Sequence, residues 1–198
     1  MTILDLNGKL ELELAKIVGS NNVSSEEFIL VSYSEDASPY RGNLPSVVVR
    51  PHSTEEVSKI LKFANQRKIS VIPVGGRSSI NGSTIPRVDH SIMIDLTGMN
   101  EIIEIDEDTM TVTVQTGITW SGLIHLLKEK GYKLGFRGPY GGNAGTVGGS
   151  ISANSIGCGA SAYGGACDSV IGLELVLSTG EILKTGSNWK DNSSELKG

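Results

Sequence analysis

The chain has 198 residues, 38% of them hydrophobic and 20% charged, enough apolar content for a buried core and not the composition of a disordered chain. A net charge of −5 with a pI near 5.2 and no basic run excludes the electrostatic footprint of a nucleic-acid binder or of a segment drawn to an anionic membrane. Met1 to Asp5 carries no basic segment leading into a long apolar run, and no stretch is long and apolar enough to span a bilayer, so a soluble, cytoplasmic protein is expected.

Leu10, Leu14, Ile17 and Val18 share one face of a helix that Gly19 can end in a left-handed turn. After the polar segment Tyr33 to Pro39, the β-branched run Val47-Val48-Val49 predicts a buried strand stopped by Pro51. Ser53 and Glu56 have the spacing of a capping box, and Val57, Ile60, Leu61 and Ala64 form an apolar stripe behind them. Ser70 to Val74 is strand-like again, so residues 47 to 74 read as a β-α-β unit whose second strand runs into a glycine loop, Gly75 to Ser83. In open α/β sheets, ligands bind at that end of a strand.

Ser91 to Leu96 reads as a strand, and Glu101 to Ile105 with Met110 to Gln115 as an antiparallel pair turning at Asp106-Glu107-Asp108. Gly117 leads into a helix with Trp120, Leu123, Ile124 and Leu127 on one side, closed by Gly131. A second glycine-rich stretch, Gly138 to Gly149, continues through Ile151 to Asn154. Val170 to Leu177 and Ile182 to Lys184 form a last hairpin, and Ser187 to Gly198 carries no core signal. The composition shifts near residue 86, which predicts one lobe over about 1–85 and a second over about 86–198.

Two readings of the first loop stand: a strand-to-strand turn, for which Asn81-Gly82 is well suited, or a cradle whose N–H groups meet a phosphate. Arg77 would counter a phosphate charge in the second reading and pair with a surface acid in the first. In the second stretch, so many glycines are costly to order unless a backbone must come close to something. Its Thr146-Val147 and Ile151 to Asn154 look anchored rather than linker-like. Together the two stretches predict an extended phosphate-bearing cofactor gripped from two sides.

Gly157-Cys158-Gly159-Ala160-Ser161-Ala162 fits G-x-G-x-x-A but lacks the strand before it and the amphipathic helix after it that a dinucleotide fold needs. No P-loop occurs. His52, His90 and His125 stand apart from any nucleophile elbow or zinc spacing. Cys158 and Cys167 are too few for a zinc site or disulfide framework and read as reduced structural thiols. No metal site is expected, and any chemistry should reside in a cofactor.

The chain resembles the FAD-linked oxidases and dehydrogenases of the vanillyl-alcohol oxidase / p-cresol methylhydroxylase type, nearest their D-lactate and glycolate dehydrogenase branch. The likeness is carried by Pro45 to Pro51 with Ser53 to Val57, Val71 to Ser79, Glu104 to Glu107, Val114 to Gly117, Thr146 to Gly149, Asn154, Tyr163-Gly164 and Val170 to Gly180. It implies an α+β FAD-binding domain over 1–198, a small β-α-β lobe and a larger mixed and antiparallel sheet lobe, with the substrate cap domain absent and the second lobe truncated. It further implies that Val74, Gly75, Gly76, Arg77, Ser78, Ser79, Asn81 and Gly82 hold the diphosphate. Pro139, Thr146, Gly148, Gly149, Ser152, Asn154 and Gly159 would follow the flavin and ribityl chain, with Val170 toward the adenine.

In this loop some members attach FAD through a histidine, and the region around Ser78 has none, so non-covalent FAD is implied. Arg77 stands where the family commonly has a third glycine, which opposes a backbone needing positive φ. The implied reaction is oxidation of a D-2-hydroxy acid such as D-lactate or glycolate by hydride transfer to the flavin. Catalytic residues are unknown and are expected in a missing segment or a second subunit. Two alternatives stay open: a non-catalytic FAD-carrying subunit, and a flavoenzyme acting on an alcohol or sugar lactone.

Overall fold

The computed structural model describes residues 3–186; the Ser187 to Gly198 tail lies outside them. The elements, in chain order, are α1 (Ile3–Val18), β1 (Val23–Ser24), α2 (Glu27–Tyr33), β2 (Val47–Val49), α3 (Thr54–Arg67), β3 (Val71–Val74), β4 (Ile92–Asp95), β5 (Ile102–Asp106), β6 (Thr111–Val114), α4 (Trp120–Glu129), α5 (Val147–Ser152), α6 (Ala160–Tyr163), β7 (Gly172–Val176) and β8 (Ile182–Gly186). This is the mixed helix-and-sheet class that the sequence predicts.

The chain folds into two compact units. One gathers the chain up to Pro73, Ser79–Asp95 and the chain from Ile171; the other is Val74–Ser78 with Leu96–Val170.

In the first unit, β2 lies parallel to β4, with Val48 beside Met93 and Val49 beside Ile94. All three residues of β2 are buried, as a strand covered on both faces requires. The strand order β1-β2-β4-β3 shows that the expected β-α-β unit takes β4 between its two strands. β1 pairs antiparallel with β2, Val23 opposite Val49. Leu14 of α1, Leu30 of α2 and Ile60 of α3 are almost fully enclosed, and each such side chain contributes about 1.5–3 kcal/mol relative to exposure.

The start of α3 follows the sequence with one change. Ser53 Oγ accepts from the Glu56 N–H, but the Glu56 carboxylate reaches back one residue further, to the His52 N–H at 2.7 Å. α3 then ends on Lys68 at φ 56, a left-handed cap made without glycine. The hairpin β7–β8 lies against α3 through Thr54 Oγ1, which donates to Glu174 at 2.5 Å, and through Ser58 Oγ, which donates to the Gly180 carbonyl.

In the second unit, β5 and β6 form the expected antiparallel pair, Ile105 opposite Val112. The acidic turn is structural: Asp106 Oδ1 accepts from the N–H groups of Asp108 and Thr109. The core is Ile118, Trp120, Leu123, Leu127, Phe136, Val147 and Ala166; of the stripe read on α4, Trp120, Leu123 and Leu127 are in it, while Ile124 is only half-buried. Among the described residues, no helix is long and apolar enough to cross a membrane.

Candidate functional site

The first glycine loop begins where β3 ends, at buried Val74. A Cβ on Gly75 would lie 2.2 Å from Thr146 Oγ1, and one on Gly76 would lie 1.6 Å from the Ala144 carbonyl oxygen. No side chain fits at either position. The two glycine-rich stretches therefore meet inside the second unit, Gly75 against the Thr146 side chain and Gly76 against the Ala144 backbone.

Arg77 follows at φ 49. The left-handed backbone that glycine would supply is kept with an arginine, at a cost of about 1 kcal/mol. Among the described residues, no backbone carbonyl accepts from the N–H groups of Gly75, Gly76 or Ser78. Neighbouring N–H groups that no backbone carbonyl takes, on a partly exposed turn, are what an anion needs.

The rest of the loop belongs to the first unit and is satisfied locally. Ser79 Oγ donates to Asn81 Oδ1 at 2.5 Å, Ser83 N–H donates to the same oxygen, and Ser83 Oγ donates to Ser79 Oγ at 3.1 Å. Gly82, at φ 69, fits beneath Tyr40 and Arg87. The turn reading and the cradle reading thus divide the loop between them: Ser79 to Ser83 is a self-bonded turn, and Gly75 to Ser78 is the open part.

The second stretch is anchored along the chain leading into α4. Val147 N–H donates to the Ile118 carbonyl at 2.8 Å and Gly148 N–H to the Thr116 carbonyl at 2.9 Å. A Cβ on Gly148 would lie 1.6 Å from Thr116 Oγ1. Thr146 is buried and caps α5, its Oγ1 accepting from the Gly149 N–H at 3.3 Å. Ser152 Oγ donates to the Gly148 carbonyl. Asn154 has φ 42 and accepts the Cys167 N–H on its side chain at 3.4 Å.

Much of the glycine in this stretch answers to one tryptophan. A Cβ on Gly138 would lie 2.2 Å from Trp120 Cδ1, and one on Gly142 would lie 2.8 Å from Trp120 Cβ. The indole packs edge-on to Phe136, centroids 4.8 Å apart, and its Nε1 donates to Ser150 Oγ at 2.8 Å. Pro139 opens the short 3-10 turn after Gly138. Gly159, at φ 91, sits against Gly135 and Tyr163, while Val170 caps a 3-10 turn by donating to the Cys167 carbonyl. The helix after Gly159 has four residues, too few for the dinucleotide fingerprint.

Ala144 and Thr116 are contact residues that sequence reasoning did not single out for the site. Their only signal is a small residue next to glycines, since what they touch is remote in the chain. A shallow depression of about 260 Å³ is lined by Gly76, Thr97, Gly117, Thr119, Ala144 and Thr146 among others.

The histidines have ordinary partners. His52 Nε2 is 3.3 Å from Asn22 Oδ1, His90 Nδ1 is 3.4 Å from Ser46 Oγ, and His125 Nε2 is 3.4 Å from Glu129. No group of three or more His, Cys, Asp and Glu is placed to hold a metal among the described residues. The pinned glycines and open N–H groups fit a phosphate-bearing cofactor.

Comparison with known proteins agrees with this. The sequence profile described as "FAD binding domain" matches residues 45–186. The glycolate oxidase subunit GlcD of Bacillus subtilis is 33% identical over 88% of this chain and 37% of its own length. A mitochondrial D-lactate dehydrogenase [cytochrome] of Arabidopsis thaliana is 38% identical over 77% of this chain and 26% of its own. The structure of p-cresol methylhydroxylase with substrate bound superposes with a TM-score of 0.77 at 24% identity, over 90% of this chain and 35% of that one. The chain thus spans about a third of the proteins it matches.

Proposed function

Because the chain belongs to the FAD binding domain family, we propose that it is the FAD-holding part of an oxidoreductase acting on the CH–OH group of a D-2-hydroxy acid of the lactate or glycolate type. One observation carries the cofactor reading: Gly75 and Gly76 are locked against Thr146 and Ala144 while the N–H groups of Gly75, Gly76 and Ser78 stay open. The substrate class follows from the relatives, a glycolate oxidase subunit and a D-lactate dehydrogenase.

FAD, when bound, supplies the acceptor for the hydride of the substrate's α-carbon. The chain's own residues bind and orient. Gly75, Gly76 and Ser78 offer N–H donors to the diphosphate, fixed in advance so that little order is lost on binding. Val74, Ser79, Asn81 and Gly82 shape that loop. Pro139, Thr146, Gly148, Gly149, Ser152, Asn154 and Gly159 support the redox half, and Val170 the adenine half.

Attachment is non-covalent, since no histidine lies in the loop. Residues 1–198 form the FAD-binding portion, and the groups that bind substrate and take its hydroxyl proton come from a further segment or a second subunit.

Refolding the chain with excess FAD and removing the free flavin by dialysis tests the cofactor. Retained flavin absorbance is expected, and acid precipitation should release all of it; colourless protein rejects the reading. Assay of the flavin-loaded chain together with the segment or subunit that supplies the substrate-binding groups, using D-lactate, glycolate and a redox dye, then tests the substrate class. Turnover confined to alcohols or sugar lactones would overturn it.

A further inference from the structure

The hairpin β5–β6 pairs with no third strand among the described residues. A two-stranded sheet is marginal in water by itself, and this one is steadied by Ile102, Ile105, Val112 and Val114 packing on the core. Its edges still present backbone N–H and C=O groups to any chain that can pair with them. Along β5 that edge opens on a groove of about 460 Å³, lined by Ile102, Ile103, Ile105 and Glu107 of the hairpin and by Lys130 and Tyr132 beyond α4. The Tyr132 side chain hydrogen-bonds Glu107, which ties the far wall of the groove to the hairpin turn.

Among the described residues, no backbone hydrogen bond from outside the hairpin reaches Ile102, Ile103 or Ile105. Ile103 has no partner across the hairpin, at the shift of register, and 65% of its surface is exposed. Ile102 and Ile105 are only half-buried, so the apolar layer reaches the edge of β5 without being covered there. The charge around it has one sign: Glu101, Glu104, Asp106, Glu107 and Asp108 crowd the strand and its turn, and Lys130 is the one cation lining the groove. A second copy of β5 would bring the same carboxylates against these and be repelled. A strand bearing lysine or arginine is attracted instead.

The geometry points to the edge of β5 as a docking site for an extended segment of a partner polypeptide, apolar at alternate positions and basic at those between. Its backbone adds a third strand to the hairpin. Its apolar side chains continue the layer of Ile102 and Ile105 beside Tyr132, and its basic ones face the acidic side. The site shares no residue with the glycine stretches and goes beyond the FAD reading.

The test uses the full chain without FAD and two labelled peptides, one alternating valine with lysine and one alternating valine with glutamate, followed by fluorescence anisotropy. The lysine peptide should bind at least about tenfold more tightly than the glutamate peptide. Two further lysine peptides carry N-methyl groups, one on the valine nitrogens and one on the lysine nitrogens. A strand uses the N–H groups of one edge only, so one of these analogues should lose binding about tenfold and the other keep it.

Hydrogen exchange locates the contact: the amides of Ile102–Asp106 should gain protection with the lysine peptide, and those of β7 and β8 should not. The double variant E104K, E107K should reverse the preference toward the glutamate peptide; if it does not fold, exchange in the unsubstituted chain still decides. Absence of binding by the lysine peptide, equal binding of both methylated analogues, or protection gained elsewhere than β5 would each overturn the proposal and leave the FAD reading untouched. A chain that takes the peptide and not FAD would keep the proposal and lose that reading.

Discussion

At the scale of single residues, two glycines of similar appearance in the sequence carry opposite demands. Gly76→Ala would drive a Cβ into the Ala144 carbonyl oxygen, 1.6 Å away, whereas Gly141, at φ 70, has nothing within 4 Å of where a Cβ would go. Gly141→Ala should therefore cost only the left-handed backbone, about 1 kcal/mol, and Gly76→Ala upwards of about 2 kcal/mol by overpacking. Urea titration of both variants checks this, and retention of flavin should fail only in Gly76→Ala. Ser150→Ala leaves the buried Trp120 Nε1–H without its acceptor, an expected loss of about 1–3 kcal/mol. A Trp120→Phe, Ser150→Ala double variant should lose less than the sum of the singles, since both remove the same bond.

At the scale of elements, the ends of α4 and α5 are set by two threonines doing the same job. Thr119 Oγ1 accepts from the Gly122 N–H and Thr146 Oγ1 from the Gly149 N–H. Thr119→Ala and Thr146→Ala should each lower stability by about 1 kcal/mol. Only the second removes the side chain against which Gly75 is fitted, so only the second should also weaken flavin retention in the dialysis assay. α1, α3 and α4 were legible because each repeats its apolar residues at helical spacing, and α3 also carries its cap in Ser53. α2 was not legible: Leu30 and Tyr33 are buried while Phe28 is 70% and Val31 49% exposed, so its seven residues show no clean stripe. β1, two residues long, exists by pairing with β2 rather than by its own pattern. Both glycine stretches were visible as composition. That Gly76 lies on Ala144 was not, because the contact is made by the folded chain, and Trp120 as the reason for Gly138 and Gly142 gives no local sign.

At the scale of the whole molecule, one buried carboxylate ties α2 to the carboxyl ends of β2 and β4. Tyr33 Oη donates to Asp95 Oδ2 at 2.5 Å, and the Arg50 guanidinium donates to the same oxygen at 2.7 Å and 3.1 Å. Burial pushes the Tyr33 hydroxyl above the usual tyrosine range, and its hydrogen bond to the Asp95 carboxylate adds to this. The folded form thus holds that proton more tightly than the unfolded chain, so its contribution to stability is complete below about pH 10 and is lost as pH rises through the raised value. Melting temperatures of the unsubstituted chain should fall more steeply above about pH 10 than those of Tyr33→Phe; parallel curves would show that Tyr33 has no part in it. Topology had the weakest trace in the sequence. A composition shift near residue 86 is visible in a linear scan, but nothing in the residues announces that β4 enters between β2 and β3, or that the hairpin from Ile171 groups with the amino-terminal strands. The path crosses from one unit to the other four times, after Pro73, Ser78, Asp95 and Val170. Neither unit is a continuous stretch of polypeptide, so no single scission releases one intact: excising the loop-bearing unit calls for rejoining Ser78 to Leu96, and the other for two junctions, Pro73 to Ser79 and Asp95 to Ile171.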